Sequence, residues 1–274
     1  MLKKIKISIF IVVIGLLPIA SFGQNSSSSP FSMFGVGDLA NSGFGRNRAM
    51  GGVSSPLISA YHINPANPAS YIGMMPNTFL FEFGVTANSY KLSTPDDSFS
   101  KFDGNISYIA AGFPIAKWWK AGIGLRPLSS IGYNISQTET FDLDGSSVLQ
   151  EYTGEGGINS FYFDNSFQIL KPLSVGIKVA YIFGSLDRTK TVQTLSNTSS
   201  GSRIRESNTS VFDAVSVGLG VHFHKMINDN LFLNVGATYN FKTDLAAQYE
   251  ELTLSIINKA NLRVFQDTLL HQTI

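Results

Sequence analysis

His222 and His224 are the pair of side chains in this sequence best spaced for metal binding. Two residues apart on a strand, they would project from one face. A zinc site needs three or four ligands, however, and no further donor lies near them in sequence. Cysteine is absent, which removes thiolate ligands, thiol nucleophiles and disulfides together. Ser, His and Asp all occur, but no Gly-x-Ser-x-Gly elbow does. Gly35 and Gly37 fit no phosphate loop, because no strand-and-helix unit and no Lys-Ser/Thr pair accompany them. Lys120, Arg126, Lys178 and Glu82 are the remaining charged candidates, and all fall on the polar side of alternating segments. These observations predict no metal, no cofactor and no catalysis. They place the two histidines on a solvated interior or rim.

The segments carrying these residues share one pattern. In residues 211–224, Val211, Val215, Val217, Leu219, Val221 and Phe223 alternate with Ser216, Gly218, Gly220, His222 and His224. Successive side chains of a strand point to opposite faces, so this segment has an apolar face and a polar one. Six further segments read the same way. They begin at Thr78, Asn105, Trp119, Phe161, Leu173 and Leu231. Short connections are expected near residues 116–118, 171–172 and 228–230, and long polar loops at 92–103, 136–155 and 190–208. Short turns on one side and long loops on the other are the habit of outer-membrane barrels, with the short turns periplasmic. Trp118, Trp119, Phe223 and Phe232 fall beside the short turns, where a membrane-interface belt would sit.

Composition agrees. Charged residues make up 14% of the chain, and Phe and Tyr number 21 and 10; an average soluble domain is about one quarter charged. The net charge of +1 offers no footprint for nucleic acid. The chain opens with Lys3, Lys4 and Lys6, an apolar run over residues 7–19, and Ser21-Phe22-Gly23. This reads as a secretory signal peptide, residues 1–23, cleaved before Gln24. No Cys stands there to carry a lipid anchor. Residues 24–77 do not alternate and are rich in Ser, Gly, Pro and Asn. They are expected to form an irregular N-terminal hatch with one short helix near residues 55–61. Residues 78–274 are then the barrel strands.

Within the irregular segment, Arg46-Asn47-Arg48-Ala49-Met50-Gly51-Gly52 precedes Asn64-Pro65-Ala66 and its repeat Asn67-Pro68-Ala69. Here the chain resembles the long-chain fatty-acid transporter (FadL) family, whose N-terminal hatch carries an Asn-Pro-Ala motif before the first long strand. The resemblance implies passive uptake of hydrophobic small molecules such as long-chain fatty acids, with Asn64, Pro65, Ala66, Asn67 and Pro68 as candidate ligand-binding residues. The residues themselves predict a rigid turn, with two prolines fixing φ and asparagines capping.

The reading is therefore an all-β, transmembrane antiparallel β-barrel in the outer membrane, in contact with lipid. Seven strands are an odd number and too few for that family's fourteen, so the chain is expected to be the N-terminal part of a longer barrel, incomplete by itself; the alternative is a complete eight-stranded barrel whose last strand is residues 252–270. The alternative role is a non-transporting barrel subunit of an outer-membrane secretion or assembly complex, with secretion-system proteins as partners.

Overall fold

Alternation of apolar and polar residues is realised as one antiparallel sheet. A computed structural model describes residues 29–40, 43–93, 98–140, 147–195, 202–229, 231–257 and 265–268. The expected signal peptide lies outside the described residues. Ten strands are seen among the described residues: β1 (Asp38–Leu39), β2 (Leu80–Ser93), β3 (Ser98–Pro114), β4 (Trp119–Thr140), β5 (Ser147–Leu170), β6 (Leu173–Leu195), β7 (Ser202–Asn228), β8 (Leu231–Asn240), β9 (Ala246–Ile257) and β10 (Phe265–Thr268). The order is β10-β9-β7-β6-β5-β4-β3-β2, with β8 on β7 and β1 on β4. The sheet curls into an incomplete β-barrel.

All seven predicted alternating segments are strands, β2 through β8. Their faces are those the sequence predicts. Phe79, Phe81, Phe83 and Val85 point outward and are exposed, as are Ile177, Val179 and Tyr181 of β6 and Val215, Leu219 and Val221 of β7. The opposite row is buried and small or polar: Ser160, Asp164, Ser166, Ser174 and His222. Apolar outside and polar inside reverses the soluble rule, and it suits a wall whose outer solvent is hydrocarbon. Trp118, Trp119 and Phe167 stack at about 6 Å between ring centroids beside the short turns. A second aromatic group, Tyr181 with Phe183 and Tyr239 with Phe241, lies farther along the same outer face. Phe167 pairs with Val175, so the span from the lower aromatics to Phe183 is the length from Val175 to Phe183. At ~3.4 Å per residue and a tilt of roughly 40°, that is about 21 Å, close to the ~25 Å apolar band of an outer-membrane barrel.

Three expectations need correction. The predicted long loops are largely strand: β2 runs to Ser93, β4 to Thr140 and β6 to Leu195, and their partners resume at Ser98, Ser147 and Ser202. Polar residues there, such as Thr189, Lys190 and Thr191 opposite Ser207, Glu206 and Arg205, continue the ladder in water. Strand pairing needs only backbone groups, so a polar composition does not end it. The helix expected near residues 55–61 is absent. The described helical turns are instead Gly45–Ala49, Pro30–Met33 and Pro68–Gly73, the last two being 3₁₀ turns started by proline. Finally, residues 252–270 are not one closing strand. β9 runs on along the first half of β7, in line with β8 on its second half, and β10 folds back on β9.

Candidate functional site

The concave face of the sheet is occupied. Residues 54–74, the inner segment, lie against the lower wall near the short turns, and the wall is built to receive them. Where a Cβ would stand on Gly122 it would strike the Tyr71 ring; on Gly176, the backbone of Pro68 and Ala69; on Gly236, the backbone of Ser55. Gly176 and Gly220 are cross-strand partners, and a Cβ on Gly220 would meet Asn67 and Pro68. Glycine at these positions permits close approach of one backbone to another. The polar side chains between the glycines then reach the carbonyls of the inner segment.

Those carbonyls are held by donors from four strands. Lys120 Nζ of β4 donates to the Ile72 carbonyl at 2.7 Å and also to that of Met74. Lys178 Nζ of β6 donates to the Pro65 carbonyl. Ser166 Oγ of β5 and Ser174 Oγ of β6 both donate to the Ala69 carbonyl, at 2.8 and 3.1 Å. His222 Nε2 of β7 lies 3.0 Å from the Pro56 carbonyl. In return, Glu82 of β2 accepts from the Ile63 amide at 2.6 Å. A buried carbonyl left without a donor costs about 1–3 kcal/mol, so this set specifies both the position and the register of the inner segment.

The charged residues therefore have a role the sequence did not show. Lys120 and Lys178 are not general lumen charges but clamps on backbone carbonyls. Lys178 also faces Asp164 directly across the β5–β6 ladder, with Nζ to Oδ1 at 3.7 Å, and the Asp164 side chain is fully buried. Its ammonium lies 4.9 Å from the centre of the Tyr162 ring. Tyr71, from the inner segment, enters this cluster. Burial, then the negative Asp164 carboxylate, holds its hydroxyl well above the ordinary tyrosine value, so it remains a donor. Nor is His222 solvated, as expected from sequence: it is fully buried, and its ring is 5.9 Å from that of His224. Among the described residues, no group of three or more His, Asp or Glu could hold a metal.

The sequence-predicted binding residues form the centre of the inner segment. Asn64 Nδ2 donates to the carbonyls of Ser54 and Leu57, and its Oδ1 accepts from Asn47 at 3.1 Å. Asn67 caps the Pro68–Gly73 turn, accepting from the Ala69 amide at 3.0 Å. Its Nδ2 donates to Ser55 at 2.8 Å and to Val221 of β7 at 3.0 Å. Pro65 offers its carbonyl to Lys178, and Pro68 packs over Gly176 and Gly220. The two triplets thus make a turn, as predicted, and tie it to the wall. Their amide groups are committed to these bonds.

Above this seat the interior is apolar. Ile131, Tyr133, Ile158, Leu186, Phe212 and Ala247 form a buried cluster, and Met33 and Val36 of the N-terminal segment pack on it. Ser32 Oγ accepts from the Gly132 amide at 3.2 Å, and Ala40 donates to the Leu128 carbonyl at 2.8 Å. Residues 32–40 and the inner segment thus both pack on the concave face of the sheet.

The sequence model of one family, BamG, matches residues 1–272. The chain belongs to the BamG family. Neither the curated proteins nor the solved structures contain a match to it. This membership overturns the resemblance to the fatty-acid transporter family. The Asn-Pro-Ala triplets that carried the resemblance are a proline-fixed, asparagine-capped turn, a local solution open to any chain that must pack a tight bend against a wall. It does agree with the outward apolar face: this BamG-family chain is an outer-membrane β-barrel protein.

Proposed function

We propose that this chain is a barrel subunit of an outer-membrane assembly complex, acting as a fixed structural partner and not as a channel or an enzyme. Membership of the BamG family, spanning nearly the whole chain, is the observation that carries the reading. The interior supports it. A conduit for hydrophobic solutes needs a continuous apolar path. Here the lower interior is closed by an inner segment whose carbonyls are bonded to Lys120, Ser166, Ser174, Lys178 and His222. Opening it would break these bonds together, at about 1 kcal/mol or more each.

The reading is tested by affinity purification of the tagged full chain from its own membranes under mild detergent. Co-purification of the outer-membrane barrel-assembly machinery in fixed proportion is expected. Recovery of the chain alone, together with uptake of a hydrophobic dye into liposomes containing it, would overturn the proposal.

A further inference from the structure

The wall parts at one seam. β3 and β4 are laddered only from Ile109 opposite Leu125 to Pro114 opposite Lys120. Pro127 has no N–H to offer β3, and the bulge between Pro127 and Ser129 ends the ladder there. Beyond it, residues 38–40 take the β4 edge. Asp38 pairs with Ser130, Leu39 with Ser129, and the Ala40 amide donates to the Leu128 carbonyl at 2.8 Å. A cavity of about 860 Å³ lies between these residues and the inner face of β2 and β3. Small-molecule sites run from roughly 300 to 1,000 Å³.

The inner lining of this chamber is polar. On β2, Thr86, Asn88 and Tyr90 alternate with exposed residues and so face inward, and Asn105 of β3 stands opposite Thr86. Arg126 of β4 shares that face, since it pairs with buried Ser160. Residues 44–48 form one end. Phe44 stacks on Tyr108 at 3.5 Å between ring centroids, the Gly45 amide donates to Tyr108 Oη at 3.2 Å, and Arg48 Nη1 donates to Thr86 Oγ1 at 2.7 Å. These contacts fix the shape of the chamber. Asn88 and Tyr90 make no side-chain hydrogen bond among the described residues, so an amide and a phenol line it uncommitted.

The mouth lies in the wall. Ile106 and Leu125 border it, both outward and exposed. Leu125 stands in one cross-strand row with Phe161 and Tyr181, level with the upper aromatics. Farther along β5 on the same outer face, Asn159 and Glu155 border it too, and Glu155 pairs with Asp187. The chamber thus opens where the outer face changes from apolar to polar, at the height of lipid headgroups.

We propose that this chamber binds a saccharide, either the headgroup of a glycolipid or a free sugar chain. The lining decides the class. An acyl chain inside it would desolvate the amides and the phenol without pairing them. An anion would meet Asp38, Glu155 and Asp187 as well as Arg48 and Arg126, so charge alone selects none. Sugar hydroxyls donate and accept at once and can pair with Asn88 and Tyr90, while the C–H face of a pyranose can lie on the Tyr90 ring. Binding here needs no passage through the barrel, so it goes beyond the assembly role without depending on it.

The test uses the full chain in nanodiscs of sugar-free phospholipid. The variants are Asn88→Leu, the milder Tyr90→Phe and, as control, Ser89→Leu, which changes an exposed residue of the outer face. The probes are lipopolysaccharide from the protein's own outer membrane, the water-soluble saccharide freed from it by mild acid, and phosphatidylglycerol. Native mass spectrometry reads the lipids, and calorimetry reads the saccharide. At least one sugar-bearing probe is expected to bind about tenfold or more tighter than phosphatidylglycerol, with about tenfold lost in Asn88→Leu, about threefold in Tyr90→Phe and nothing in Ser89→Leu. Equal affinity for the two sugar-bearing probes means that the sugar alone is recognised. A preference of about tenfold for the intact glycolipid places its acyl chains along Ile106 and Leu125. If neither sugar-bearing probe outbinds phosphatidylglycerol, or if Asn88→Leu and Tyr90→Phe both bind as the unaltered chain does, the chamber is no saccharide site.

Discussion

Asn67→Ala is the substitution that weighs most directly on the seating of the inner segment. Asn67 is fully buried and makes three bonds: a cap on the Ala69 amide, and two donations, to Ser55 within the segment and to Val221 of the wall. Loss of a capping side chain costs about 1 kcal/mol, and loss of each buried amide donor about 1 kcal/mol more. The sum is about 3 kcal/mol, and at 1.36 kcal/mol per decade the population in which residues 54–74 are unseated rises roughly 150-fold. Cleavage by a broad-specificity protease tracks that population when opening is fast relative to cutting. The assay is therefore the rate of cleavage within residues 54–74 of the full chain in detergent, followed by mass spectrometry, with strand content checked by circular dichroism. Asn67→Asp keeps the capping oxygen and loses the two donations, so it should cost about 2 kcal/mol and raise the rate roughly 30-fold. If Asn67→Ala changes the rate by less than about threefold, the segment is held by its bulk against the wall and the bonding argument is wrong.

Lys178→Met should leave the Asp164 carboxylate buried without its ion pair, a loss of about 3–5 kcal/mol, seen as a lower temperature for the heat-induced gel shift of the barrel; Lys178→Met with Asp164→Asn should recover most of it, and a double variant as unstable as the single one would contradict the pairing. The chain has two tryptophans, Trp118 and Trp119, both beside a short turn, so its fluorescence reports one depth. In nanodiscs, lipids brominated near the headgroup should quench it more than lipids brominated near the chain ends, and the reverse order would move the membrane boundary.

Much of the wall was legible because a strand in a membrane barrel writes itself into sequence with a period of two. Phe79, Phe81 and Phe83, or Val175, Ile177 and Val179, name the outer face without reference to any partner. Strand ends were less legible. The ladder beyond the lipid uses Thr, Ser, Gln and Lys on both faces, as at Thr189 to Thr191, where nothing in composition separates a solvated strand from a loop. Pro127 was the available signal for the seam, since a proline inside a strand pattern points to an edge or a bulge. The seat was visible only in fragments. Gly122, Gly176, Gly220 and Gly236 sit on the polar face like any small lumen residue, and their purpose depends on a segment more than thirty residues upstream in every case.

By itself, the order of residues determined that the chain forms long strands with one lipid-compatible face, and that the Asn-Pro-Ala repeats make a turn. Both are local properties, set by side-chain period and by proline and asparagine geometry. Tertiary structure decided what fills the interior and where the wall parts. Lys120, Lys178 and His222 become clamps only because curling of the sheet brings four strands around the carbonyls of residues 56–74, and a hydrogen bond across 48 or 166 positions of sequence leaves no periodic trace.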